Sequence, residues 1–169
     1  RSNFQSRVFE QEFRTANIPY RLVGAHSFFD RREVKDAVAY LRIILNPRDE
    51  ASLMRILNTP PRGLGEASLT ALKTARRDQG VTLLEILANC DDIEQLSRRG
   101  LSSIKAFMEA YERAVELFSE PSAELPSKIK EYLDDIGYIS GLSQIYKAVE
   151  EAASRKENVM ELLNAAAAF

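Results

Sequence analysis

The residues best suited to hold an anion lie in the segment Asn58-Thr59-Pro60-Pro61-Arg62-Gly63-Leu64-Gly65-Glu66-Ala67-Ser68-Leu69. Gly63 and Gly65 flank one apolar residue directly before a run with helical spacing. Without Cβ atoms, the two glycines let the backbone come close to a phosphate, and the free N–H groups of the first helical turn point at it. Arg62 adds a cation, Thr59 and Ser68 add hydroxyls, and Lys73 adds a more distant charge. Leu64 is expected to pin the turn into the core. Glu66 suits the helix dipole but repels a phosphate. The same residues also fit a plain Pro-Gly turn that redirects the chain. A second segment, Leu96-Ser97-Arg98-Arg99-Gly100-Leu101-Ser102-Ser103-Ile104-Lys105, repeats the theme with Ser102 in the place of the second glycine. It reads either as a degenerate version of the first, using Arg98, Arg99, Gly100, Ser102 and Lys105, or as an ordinary helix start capped by serine.

The spacing of the first segment resembles the helix-hairpin-helix motif, which grips the sugar-phosphate backbone of DNA without reading bases. Other chemistry fails on the residues present. There is no G-x-x-x-x-G-K-[ST], and Ser68 stands where a dinucleotide loop needs its third glycine, so no nucleotide cofactor is expected in this segment. Glu33-Val34-Lys35 has the spacing of one end of some nuclease sites, but it falls on a helix without a partner carboxylate. Asp91-Asp92 and Asp134-Asp135 are expected on solvated surfaces. His26 has no ligand-spaced neighbours for a metal, and Cys90 reads as a small apolar residue at a helix end. Tyr40, Phe107, Tyr111 and Phe118 follow core spacing.

Helices must position these groups. Residues 3–17 have helical periodicity, stopped by Asn17-Ile18-Pro19. Pro19 to Gly24 alternates like a short strand, yet no second strand-like segment can pair with it, so residues 1–25 look like a piece of a neighbouring α/β domain. From Asp30 onward the pattern is helical. Asp30 is expected to cap a helix whose stripe is Val34, Ala37, Val38, Leu41, Ile44 and Leu45. Further helices are expected from Asp49, over 66–78 up to Gly80, from Thr82, and over 101–118, 126–136, 139–152 and 156–168. The expected fold is mainly α, an orthogonal multi-helix domain over 26–169, plus an N-terminal helix and a short strand.

Composition agrees with a folded domain. The 169 residues are 45% hydrophobic and 28% charged, near globular averages, and one cysteine excludes an intrachain disulfide framework. No apolar run reaches the ~18 residues of a membrane span, and no signal peptide opens the chain, so no membrane partner and a cytoplasmic location are expected. The net charge of −2 conceals a division: residues 1–77 hold 14 basic and 8 acidic side chains, residues 78–169 hold 9 and 17. The basic half suits an anionic partner, and solvated helix faces of accidental imbalance are the alternative.

Arg1-Ser2-Asn3-Phe4-Gln5-Ser6-Arg7, Ile18 to Gly24, Phe28-Phe29-Asp30-Arg31-Arg32-Glu33-Val34-Lys35-Asp36-Ala37-Val38-Ala39-Tyr40-Leu41-Arg42, Asn46-Pro47, Asn58-Thr59-Pro60 and Arg62 to Gly65 together resemble, in order and spacing, the blocks of UvrD/Rep/PcrA-type superfamily 1 DNA helicases. The resemblance is close over 1–69. Beyond that it rests on the helical pattern and on Asp135-Ile136-Gly137-Tyr138. It implies that residues 1–25 derive from the second RecA-like motor domain (2A) and that 26–169 form the inserted helical 2B subdomain. It also implies a full-length ATP-dependent 3'-5' helicase using ATP and Mg2+ at a site outside this segment. The implied partners are duplex DNA through Arg62 to Ser68, single-stranded DNA near Asn3 and through the motor domains, the remaining helicase domains of the same chain, and an accessory protein. Two alternatives stay open: a non-catalytic helical interaction module, and the equivalent region of a RecB/AddA-type helicase-nuclease.

Overall fold

The computed structural model describes residues 12, 13, 15–19, 28–120 and 124–166. In the described part of the first expected helix, residues 12, 13 and 15 are helical and 16–17 form a turn, where Asn17 takes a left-handed backbone (φ 54°). The expected strand over 19–24, apart from Pro19, and Asn3 and His26 lie outside the described residues.

Eight α-helices follow among the described residues: α1 Arg32–Leu45, α2 Glu50–Ile56, α3 Glu66–Gln79, α4 Leu83–Ala88, α5 Arg98–Leu117, α6 Leu125–Asp135, α7 Tyr138–Ile145 and α8 Val149–Ala166. Two short 3-10 turns, Phe28–Asp30 and Cys90–Asp92, precede α1 and α5. No described residue is in a strand, so the mainly α expectation holds for that part of the chain.

Local chemistry sets most boundaries. Asp49 caps α2 by accepting from Ser52 N at 3.0 Å and Ser52 Oγ at 2.7 Å, and these bonds hold its carboxyl below the ordinary value. Thr82 and Glu85 form a reciprocal capping box on α4, which likewise lowers Glu85. Left-handed Gly80 ends α3.

Three expectations need correction. Asp30 does not cap α1. It closes the 3-10 turn that buries Phe28, Arg31 occupies the cap position without a side-chain bond, and the Asp30 carboxylate pairs with Lys35 at 2.9 Å. The buried face of α1 also departs in part from the expected stripe: Val34, Ala37 and Tyr40 are core as expected, but Ile43 joins them, Leu45 is 85% exposed, and Glu33 and Asp36 are buried. Polar residues with internal partners belong to this face, which hydropathy alone assigns to solvent. Finally, the break between the last two helices falls at Tyr146 to Ala148 rather than after 152. Residues 153–157 are good helix formers and continue α8, which carries Arg155 and Asn158 to α1.

Every described α-helix contributes to one apolar core, from Tyr40 and Ile43 on α1 through Leu72, Leu87, Phe107 and Leu133 to Val159 and Leu163 on α8. Each such side chain contributes roughly 1.5–3 kcal/mol by leaving water. Tyr40 is the hub, its ring 5.2 Å from Tyr138 and 6.1 Å from Tyr132. Burial pushes the Tyr40 phenol up to about 12 and drives Tyr132 and Tyr138 higher, so all three stay protonated near neutrality. Close approach matters at Gly141 on α7, where a Cβ would sit 2.5 Å from the ring of Pro60, so glycine lets α7 press on the loop after α2. No described helix is long and apolar enough to cross a membrane.

Candidate nucleic-acid interface

The loop between α2 and α3 is laced by one side chain. Asn58 accepts through Oδ1 from Arg62 N at 2.7 Å and Leu64 N at 3.4 Å, while its Nδ2 donates to Leu64 O at 2.9 Å. Gly63 takes φ 74°, the left-handed region that favours glycine, at the tip of the turn. Leu64 is buried at 3% exposure, as expected of a residue that anchors the turn. Gly65 precedes α3 as its N-cap, with no side-chain capping bond. A Cβ at Gly65 would meet no atom within 4 Å, so this backbone faces open space at an uncapped helix start.

Arg62 does not face that space. It is 8% exposed. Its Nη1 donates to the carbonyls of Ile56 at 2.7 Å, Leu57 at 3.1 Å and Thr59 at 3.2 Å. Its Nη2 donates to the Tyr40 hydroxyl at 2.7 Å and Ile136 O at 3.4 Å. The guanidinium also lies 5.1 Å from the Phe107 ring centre and 5.9 Å from that of Tyr40. The sequence expectation of a phosphate-facing Arg62 is therefore corrected: buried carbonyls at the end of α2 and the rings of Tyr40 and Phe107 hold the cation inward. Two hydroxyls are corrected with it. Ser68 is buried and donates to Gln95 O at 3.1 Å, and the Thr59 hydroxyl donates to Arg55 O at 3.2 Å. Of the first set, the Gly63 and Gly65 backbone and the Lys73 side chain stay at the surface.

The second segment is a serine-capped helix start rather than a second hairpin. Ser97 Oγ accepts from Gly100 N at 3.0 Å, and Gly100 is already inside α5. The fold nevertheless brings the two segments together. A Cβ at Gly100 would lie 3.1 Å from Leu64 Cδ2 and 3.6 Å from Gly63 O, so glycine is what lets the hairpin seat against α5. The place a Cβ would take at Gly63 is 3.5 Å from Arg99 Cδ and 3.6 Å from its Cγ and Nε, so the Arg99 stem lies along the turn. Arg98, Arg99 and Ser102 are exposed, and among the described residues neither arginine is in an ion pair. Lys105 is paired with Asp91 at 2.6 Å, a bond that raises its pKa.

Sequence reasoning missed a second basic surface, a groove between α1 and α2 lined by Lys35, Val38, Ala39, Arg42, Ser52 and Arg55, with Phe29 at its edge. Arg55 is held by buried Asp36 at 2.6 Å, whose own pKa is raised by burial despite that partner. The signal was available in Lys35 and Arg42, seven residues apart on one helix face. The acidic pairs behave as expected of surface groups: Asp134 pairs with Lys130 at 2.5 Å and Asp135 with Arg113 at 2.9 Å. Cys90 is 1% exposed, and burial pushes its thiol up. Among the described residues no three His, Cys, Asp or Glu side chains gather to hold a metal ion.

Residues 1–169 match the family described as UvrD-like helicase C-terminal domain. The chain is 35% identical over 171 residues to DNA helicase II of Salmonella typhimurium, all of this chain and 23% of that protein. It is 35% identical over 164 residues to the ATP-dependent DNA helicase PcrA of Staphylococcus epidermidis, 97% of this chain and 22% of that protein. It is also 32% identical over 170 residues to the probable DNA helicase II homolog of Rickettsia conorii, all of this chain and 25% of that protein. The chain thus spans about a quarter of the length of these relatives. The match over its whole length settles the family: this chain belongs to the UvrD-like helicase C-terminal domain family.

Proposed function

We propose that this chain is part of an ATP-dependent 3'-5' DNA helicase, and that residues 26–169 are its regulatory, duplex-contacting 2B subdomain. In this reading residues 1–25 belong to the second RecA-like motor domain, and the ATP and Mg2+ site is formed by motor domains outside the segment. The protein works in the cytoplasm on DNA, through the duplex backbone here and through the single strand in the motor domains. The observation that carries the role of this segment is the hairpin of 58–65: an exposed turn at Gly63 with Arg99 along it, an open backbone at Gly65, and an uncapped start of α3. Such a surface holds phosphate and reads no base, so binding is expected to be independent of sequence and to weaken steeply with salt.

Gly65→Asp tests the reading. Its backbone (φ −75°, ψ 174°) suits any residue, an added Cβ meets no atom within 4 Å, and aspartate is a good N-cap, so the variant is expected to fold at least as stably as the parent. It places a carboxylate where the phosphate would sit. Duplex affinity of the full-length protein, measured by filter binding without nucleotide, should fall about tenfold, or about 1.4 kcal/mol. An unchanged affinity over a range of salt would remove the hairpin from the duplex interface.

A further inference from the structure

We infer that the hairpin divides its work between two arginines: Arg62 is a positioning residue that fixes the loop from inside, and Arg99, supplied by α5, is the cation that meets the DNA phosphate. The inference rests on the duplex reading of the hairpin. The two side chains are both adjacent to the turn and differ in every respect that decides a phosphate contact.

Arg62 has no room for a phosphate. Both of its terminal nitrogens already donate to protein acceptors, five in all, and its plane is held between Tyr40 and Phe107. Those acceptors come from α1, from the end of α2 and from the residue after α6, while Phe107 adds α5. The guanidinium therefore ties the base of the loop to four helices, and a planar fork does this where an ammonium could not. No carboxylate accepts from it among the described residues; its charge is met there by four carbonyl dipoles, the Tyr40 hydroxyl and the two aromatic rings.

Arg99 has the opposite character. Its stem runs along Gly63, which the left-handed φ keeps as glycine, and its residue is exposed. Among the described residues it makes no ion pair. Arg98, its neighbour, lies instead with Ser102 and Lys105 along a different face of α5. The contact of Leu64 with Gly100 locks the α5 start to the hairpin, so the Arg99 charge and the open backbone at Gly65 belong to one surface. A backbone that approaches closely and a cation beside it are the two parts of a non-specific phosphate grip.

The test is the salt dependence of duplex binding by the full-length protein, measured by filter binding for the parent, Arg99→Ala, Arg62→Lys, Arg62→Gln and Gly65→Asp. One lost phosphate contact makes the plot of log affinity against log salt shallower by about 1. Arg99→Ala is expected to lower affinity about three- to tenfold near 0.1 M salt with that loss of slope, and to leave the melting temperature unchanged. Arg62→Lys keeps the charge but not the fork, so it is expected to bind more weakly than the parent with the parent's full slope. The inference is overturned if Arg99→Ala keeps the full slope while Gly65→Asp weakens binding. It is overturned equally if Arg62→Lys restores parental affinity and Arg62→Gln alone loses one unit of slope. Should Arg62 variants fail to fold, the Arg99→Ala slope still decides. If Gly65→Asp binds duplex like the parent, the duplex reading falls and the inference with it.

Discussion

Replacing Arg62 with alanine is expected to destabilise the helical domain by about 3–5 kcal/mol, a large share of the 5–15 kcal/mol typical of a whole domain. The substitution removes a buried guanidinium from five acceptors. Ile56 O also accepts from Thr59 N, but Leu57 O and Ile136 O are left short of a donor, and each orphaned group costs about 1–3 kcal/mol. A cavity opens between Phe107 and Tyr40 as well. Tyr40 keeps its bond to Thr59 O, so part of the loop's anchoring persists and sets the upper limit of the loss. Hydrogen exchange of the full-length protein would show the effect as lost protection at 56–64 and at the end of α6. Arg62→Lys should recover only part, because one ammonium cannot reach both Ile56 O and Ile136 O. Wild-type protection in Arg62→Ala would contradict the internal role.

The second large effect is expected at Glu33. Its carboxylate is 1% exposed and accepts from Asn158 Nδ2 at 2.5 Å, from Arg155 at 3.4 Å and from the Tyr146 hydroxyl at 3.4 Å. Arg31 holds the other end of the Asn158 amide at 2.5 Å, and Tyr138 donates to the Glu33 carbonyl at 2.9 Å. The first helix of the domain is thus joined to its last two through one buried acid. Glu33→Ala should cost about 2–4 kcal/mol, lower than for a fully buried pair because the Arg155 side chain is 33% exposed and can turn to water. The loss should concentrate on α8, read as faster exchange over 149–166. Glu33→Gln retains an acceptor for Asn158 and should lose less. If alanine leaves α8 protected, the network does not hold the helix in place.

These two residues also show what a sequence can and cannot disclose. Local signals placed the helices well: Asp49, Thr82, Gly80 and the prolines after 46 and 59 act over three or four residues, and the structure follows them. The direction of a polar side chain is not a local property. Arg62 turns inward because Ile136 O, 74 positions away, and Tyr40 complete its shell, and neither is visible from the Pro-Arg-Gly context. Glu33 and Asp36 are buried for the same kind of reason, with partners on α8 and α2. That is why the buried face of α1 is broader than its apolar stripe and includes two acids. The candidate site was half legible: glycine spacing identified a backbone able to meet phosphate, and only packing revealed that Gly100 and Arg99 complete it.

The central claim is that the Gly63–Gly65 backbone lies against the DNA duplex. Position 65 allows a direct measurement, since a Cβ there meets no atom within 4 Å and Cys90 is buried and slow to compete for label. Gly65→Cys carrying a photo-activated crosslinker, in the full-length protein bound to a duplex with a single-stranded tail, should crosslink to the duplex strands near the junction. Crosslinks confined to the single-stranded tail, or none to DNA at all, would contradict it.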